Sequence, residues 1–233
     1  MYKAIIFDFD GTIIDTEKAW YAAFREAYRE HGVELAIEQY SLCIGTDHAA
    51  FNPYEYLITE LGLPLDRDEF KRSVHDKYEK LMAELTLRPG ILECLQAARK
   101  AGLSVGLATS SSEAWISRYL EPLGIRDYFD CIRTSDHVAR VKPDPELYIR
   151  AAEGLQVKPG EAVAVEDSPN GARAAIAAGM DCIVVPNEVT APLAFPSGVY
   201  RIESLADIQL EQLLRQVAES QRAKTGNGGE RVL

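Results

Sequence analysis

Short, mostly apolar runs of strand length recur along this chain, and nearly every gap between them is filled by a segment with helical punctuation. The runs are Lys3 to Phe9, Leu103 to Ala108 (LSVGLA), Ala162 to Val165 (AVAV) and Cys182 to Val185 (CIVV), with weaker ones near Cys131 and Val199. A strand apolar at consecutive positions has no face to offer to water, so both of its faces need covering. Alternation of such strands with helices predicts a parallel sheet with crossover helices on either side.

The helix boundaries are marked by residues with a reason to be there. Pro89-Gly90 opens a stripe of Ile91, Leu92, Leu95 and Ala98, and Gly102 is placed to close it in the left-handed conformation. Ser110-Ser111-Ser112-Glu113 reads as a capping box. Asp144-Pro145 and Ser168-Pro169 set an N-cap residue before a proline, with Gly154 and Gly179 expected at the respective ends. From about Thr16 to Ala83 the alternation stops: Trp20, Phe24, Ala27 and Tyr28 share one helical face, Pro53 to Leu61 is a short helix closed by Gly62, and Phe70, Val74, Tyr78 and Leu81 follow the capping box Asp66-x-x-Glu69. The expected architecture is therefore α/β, a Rossmann-like parallel sheet core formed by 1–15 and 84–217 with an inserted α-helical cap at 16–83. A polar, Gly-rich flexible tail is expected at 218–233.

Composition narrows the partners. Of 233 residues, 36 are Asp or Glu and 25 are Lys or Arg, a formal net charge of -11. Binding to a phosphate backbone relies on surplus cations, so no nucleic-acid partner is expected. No apolar stretch reaches the roughly 18 residues needed to span a bilayer, so no membrane partner is expected either. The four cysteines are far apart, lack CxxC spacing and mostly sit in apolar runs. Together with the lack of an export signal they suggest a cytoplasmic protein, and monomer is the default state.

Chemistry-bearing residues collect beside the strand ends. Asp8 and Asp10 close the first run and precede Gly11-Thr12. A bare DxD is most often a solvated turn, but this one follows a buried strand, and open α/β sheets bind ligands at those ends. Two adjacent carboxylates are tolerable if a divalent cation neutralises them or one stays protonated as a general acid. Thr109-Ser110 follows LSVGLA, where a hydroxyl and helix-start amides suit a phosphoryl oxygen, although a plain N-cap has the same composition. Lys142, stiffened by Pro143 and Pro145, is alone an ordinary surface lysine. Glu166-Asp167-Ser168 could supply helix-start charges or hard oxygen ligands for magnesium. Together the four supply a carboxylate nucleophile, a hydroxyl donor, a cation and metal-binding acids, which are the requirements of phosphoryl transfer.

The order and context of these residues resemble the haloacid dehalogenase superfamily: DxDGT is Asp8-Phe9-Asp10-Gly11-Thr12, the second motif is Thr109, the third is Lys142 and the acidic fourth is Glu166-Asp167. The resemblance implies that Asp8 attacks phosphorus to form an aspartyl phosphate, while Asp10 protonates the leaving alcohol and later activates water. It also implies a Mg2+ cofactor on the Asp8 carboxylate, the Asp10 main-chain carbonyl and Asp167, with Glu166 nearby or ligating. Thr109, Ser110 and Lys142 would hold the phosphoryl group. Because Asp10 is present, a dehalogenase is excluded.

Within the superfamily the chain looks closest to the group of β-phosphoglucomutase and phosphoglycolate phosphatases. The mutases of that group carry a cap histidine where this chain has Trp20, and a basic cap loop where it reads Ile44 to Phe51 without Lys or Arg. A mutase needs a second cationic phosphate site, so hydrolysis of a small phosphorylated metabolite is the expected activity, with a phosphosugar mutase or a non-catalytic binding module as alternatives. Lys18 is poorly placed as a Schiff base. His48 could touch substrate but reads more simply as exposed, and Trp20, Phe24 and Tyr28 read as cap core, although Trp20, near the hinge, could instead face the cleft. GxGxxG, which a dinucleotide-binding oxidoreductase would need after the first strand, is absent.

Overall fold

The computed structural model describes residues 2–44 and 50–226. In chain order the elements are β1 (Ala4–Phe7), α1 (Thr16–Glu30), α2 (Ile37–Ser41), α3 (Tyr56–Thr59), α4 (Arg67–Met82), α5 (Ile91–Lys100), β2 (Ser104–Ala108), α6 (Glu113–Leu120), β3 (Cys131–Arg133), α7 (Glu146–Gly154), β4 (Ala162–Glu166), α8 (Pro169–Ala177), β5 (Asp181–Val184), β6 (Tyr200–Arg201) and α9 (Leu210–Gly226). The six strands form one parallel sheet in the order β3-β2-β1-β4-β5-β6. The α/β core with a parallel Rossmann-like sheet expected from the apolar runs is the fold observed.

Alternating side chains of each strand enter two separate cores. Ile5, Phe7, Val105, Leu107, Val163 and Val165 pack on the side of α5, α6 and α9, whereas Ala4, Ile6, Ala162 and Ala164 meet α7 and α8. The second side is rich in alanine, including Ala151, Ala152, Ala172, Ala174 and Ala175, which lets those helices lie close against the strands. Gly106 shows how little space remains, since a Cβ there would stand 3.0 Å from Leu155 Cδ1. All four cysteines are buried free thiols.

Residues 16–82 supply α1 to α4, with α1 packed on α4. Phe24, Tyr28, Phe70, Val74 and Tyr78 are buried between them, each contributing on the order of 2 kcal/mol of transfer free energy. The chain leaves and re-enters the core through adjoining linkers: Ile14 forms an antiparallel bridge with Leu87, and Arg88 N–H donates to the Ile13 carbonyl at 2.9 Å. Ser41 Oγ donates to Val189 O across to the core at 2.7 Å.

Several boundaries differ from the expectation. The start of α6 is capped by Ser112, whose hydroxyl accepts from Trp115 N–H, two residues later than the expected capping box, so Thr109 and Ser110 lie in the loop before the helix. Gly154 ends α7, but the left-handed residue beyond it is Gln156 (φ 58°); Gly154 is required because a Cβ would stand 2.4 Å from Cys131 Sγ. Helix α9 continues to Gly226, into the stretch expected to be tail from 218. Leu213 and Val217 bury its inner face, and Gln221 Nε2 donates to the Gly198 carbonyl at 2.7 Å, so contacts that composition does not reveal extend the helix. Lys142 comes from the loop between β3 and α7 rather than directly from a strand end.

Candidate active site

Asp8 follows β1 directly and Thr109 follows β2, while Glu166 ends β4 and Asp167 succeeds it. Because the three strands are neighbours in parallel register, these residues reach the same edge of the sheet. Asp8, Thr109 and Asp167 face the cap across a cleft of about 910 Å³ whose lining also includes Asp10, Ser110 and Lys142, with Glu166 buried behind them.

Lys142 is the cation at the centre. Its Nζ donates to Asp8 Oδ1 at 2.5 Å and to Glu166 Oε1 at 2.7 Å. The same Glu166 oxygen accepts the Tyr148 hydroxyl at 2.7 Å, and Oε2 accepts from Asp167 N–H, Ser168 N–H and Ser168 Oγ at 3.3, 3.4 and 3.3 Å. Both oxygens of this wholly buried carboxylate are thus committed to protein donors. Gly171 makes the fit possible, because a Cβ there would stand 1.8 Å from Oε1.

Asp167 lies on the other side of Asp8. Asn187 Nδ2 donates to its Oδ2 at 2.7 Å and the Thr12 hydroxyl approaches Oδ1 at 3.5 Å. Oxygen atoms of Asp8, Glu166 and Asp167 lie within 4.8 Å of one another. Burial, followed by repulsion from Asp8 and Glu166, holds Asp167 well above the ordinary carboxylate range. Burial also raises Asp8, against the opposing pull of Lys142. For Lys142 burial disfavours the ammonium, but the attraction of Asp8 and Glu166 outweighs it and shifts the group upward. Lys142 pairs with only two of the three buried acids, leaving Asp167 without a paired cation among the described residues, and an all-oxygen donor set of this kind suits a hard divalent cation such as magnesium.

The Asp10 carboxylate does not join this group. Ser111 Oγ donates to its Oδ2 at 2.6 Å and the Trp115 indole Nε1–H donates to its Oδ1 at 2.9 Å. Alternation about the wholly buried Phe9 leaves both aspartates in the cleft but on different partners. The expected part of Asp10 at an ion is its main-chain carbonyl, and the Ser111 and Trp115 donors occupy its carboxylate. The Thr109 hydroxyl accepts Ser111 N–H at 3.0 Å and Thr109 N–H donates to Arg133 O at 2.9 Å, which fixes a buried hydroxyl at the base of the cleft. Ser110 lines the cleft and is exposed, with no side-chain cap role.

Sequence reasoning missed Ser111, Trp115, Tyr148, Asn187 and Arg88. Arg88 donates to the Gly11, Val185 and Pro186 carbonyls, tying the loop of the two aspartates to the end of β5. None of the five has a local signature beyond its own residue type; only Ser111 stood in a singled-out motif, and there as a cap. On the cap side, Trp20 takes the cleft-facing alternative left open for it, half-buried and stacked on Tyr78, while Phe24 and Tyr28 lie in the cap core. His48 lies outside the described residues.

The chain matches the haloacid dehalogenase-like hydrolase family over residues 5–185. Protein YhcW of Bacillus subtilis, described as a candidate phosphatase, is 44% identical over 214 residues, covering 92% of this chain and 97% of that protein. The phosphorylated carbohydrates phosphatase of Thermotoga maritima is 31% identical over 182 residues, covering 78% of this chain and 83% of its own. The crystal structure of CbbY from Rhodobacter sphaeroides in complex with phosphate has a TM-score of 0.65 at 33% identity, covering 89% of this chain and 96% of that one. The chain belongs to the haloacid dehalogenase-like hydrolases.

Proposed function

We propose that this haloacid dehalogenase-like phosphatase hydrolyses a small phosphomonoester, a sugar phosphate or similar metabolite, with magnesium and through an aspartyl phosphate on Asp8. The observation that carries this reading is the convergence of Asp8, Thr109, Lys142 and Asp167 on one cleft, with Asp10 held beside them. Asp8 and Asp167, with the Asp10 main-chain carbonyl, would hold magnesium; the committed oxygens of Glu166 favour a role beside the ion. When bound, the ion neutralises the carboxylates and the incoming phosphoryl oxygens. Lys142 and the Thr109 hydroxyl bind phosphoryl oxygens, and Ser110 lies at the cleft to add a third contact. An oxygen of Asp8 attacks phosphorus while the bond to the alcohol breaks, and Asp10 gives the departing oxygen its proton. The resulting Asp10 carboxylate then takes a proton from water as it attacks the phosphorus of the aspartyl phosphate, releasing phosphate and restoring Asp8.

Hydrolysis is favoured over a mutase because the described cap residues of the cleft, Thr16, Glu17, Trp20, Ile44, His75, Tyr78 and Glu79, include no Lys or Arg for a second phosphate. The test is phosphate release from a panel of sugar phosphates and p-nitrophenyl phosphate with and without magnesium. Release should require magnesium and vanish in Asp8→Asn; metal-independent release, or full release by that variant, would refute the reading.

A further inference from the structure

Trp115 sits at the junction of three parts of the molecule. It lies in the first turn of α6, its indole N–H reaches Asp10 Oδ1 at 2.9 Å, and its ring lies 6.3 Å from that of Tyr78 in the cap, nearly parallel at 14°. Tyr78 is in turn stacked on Trp20 at 3.7 Å and 9°. The buried Tyr78 hydroxyl has no hydrogen-bond partner among the described residues, so Tyr78 acts here through its ring. Arg118 reinforces the same contact, with its guanidinium 5.4 Å from the Trp115 ring and 2.9 Å from Glu79 of the cap. A column of rings therefore runs from α1 through α4 to α6 and ends on a carboxylate.

Indole N–H can only donate, whereas the Ser111 hydroxyl can donate or accept. With Trp115 on Oδ1, a proton carried by Asp10 sits on Oδ2, and the Ser111 hydroxyl, which donates to Oδ2 of the ionised form, turns to accept the hydrogen bond of the protonated one. Transfer to a leaving alcohol then exchanges one acceptor for another while the indole bond persists. The proton moves from Oδ2 to the departing oxygen, which receives the electron pair of its broken bond to phosphorus, and Asp10 is left ionised between two donors.

We infer that Trp115 is a positioning residue for Asp10, selecting through its indole N–H the carboxyl oxygen that exchanges the proton and tying that orientation to the cap through its ring. This inference rests on the reading of Asp10 as general acid. Residues that act through an acid matter most when the leaving group needs its proton. The comparison is therefore between glycerol 1-phosphate, with a poor leaving group, and p-nitrophenyl phosphate, with a good one. The quantity is kcat/KM, which reports the steps through departure of the alcohol.

Trp115→Phe, and 3-benzothienylalanine at the same position as a shape-preserving variant without the N–H, should each lose about tenfold or more on glycerol 1-phosphate and less than about threefold on p-nitrophenyl phosphate. Tyr78→Leu, which touches no atom of Asp10, should show the same bias more weakly. Equal losses on both substrates, or none, for the Trp115 variants overturn the inference, and an unbiased Tyr78→Leu overturns its link to the cap. Asp10→Asn separates the two levels: a strong bias there with none at Trp115 sinks only the role of Trp115, whereas no bias in Asp10→Asn sinks the general-acid reading itself.

Discussion

Lys142 Nζ stands 2.7 Å from Glu166 Oε1, and that glutamate is wholly buried. A flexible lysine gains a defined position because one carboxylate anchors it from behind while Asp8 meets it from the front. Tyr148 and the space left by Gly171 hold the anchor in turn.

Glu166→Gln keeps the shape of the anchor and removes its charge. Loss of a group that orients a residue at a metal site costs about 10–100-fold, so kcat/KM for a phosphomonoester should fall by that amount while circular dichroism still reports a folded protein. Wild-type turnover in this variant would contradict the anchoring role.

Asp167 adds repulsion to the metal-free site and is a proposed ligand in the loaded one. Asp167→Asn should therefore melt at a higher temperature than wild type in a chelating buffer, because one of three buried acids is gone. Magnesium should stabilise wild type by about 2.7 kcal/mol at a hundred times its Kd, raising its melting point, and should do so far less for the variant. Scanning fluorimetry with and without magnesium gives both numbers, and equal magnesium shifts would remove Asp167 from the ligand set.

Glu17, in the first turn of α1, has its pKa pushed up to about 7, chiefly by burial and then by repulsion from Asp10, Asp15 and Asp8. The folded state therefore holds this proton more tightly than the unfolded state. Stability from this group is greatest below about pH 4.5 and is lost as pH rises towards about 7. Without metal, Glu17→Gln should match wild type at the acid end and exceed it above pH 7 by on the order of 1–3 kcal/mol. Denaturant unfolding at the two pH values tests this, and a difference independent of pH would exclude Glu17 as its source.

Gly11 adopts φ +82°, and a Cβ there would stand 2.2 Å from Asp167 Oδ2. Gly11→Ala combines left-handed strain with a displaced acid, so it should destabilise by about 2–4 kcal/mol and lower turnover at least tenfold. A variant with wild-type melting and turnover would show that the loop relaxes freely.

The apolar runs determined the sheet, because a strand covered on both faces has few other places to lie, and the amphipathic stripes from Trp20 and from Phe70 determined α1 and α4, whereas the short α2 carries no such stripe and α3 is confined to Tyr56–Thr59 within the expected Pro53 to Leu61. DxDGT, Thr109, Lys142 and Glu166-Asp167 were legible for the same local reason: each follows a buried strand or precedes a helix start. Tertiary structure alone decided how the acids divide, with Asp8, Glu166 and Asp167 gathered around Lys142 and the Asp10 carboxylate turned to Ser111 and Trp115. It alone decided that Arg88 and Asn187 brace the site, and that Trp20, Tyr78 and Trp115 form one column across the cap and the core. Hydrogen bonding and ring stacking act over a few ångströms between residues that can be more than a hundred positions apart, and that proximity is created only when the parallel strands and the returning cap linker pack together.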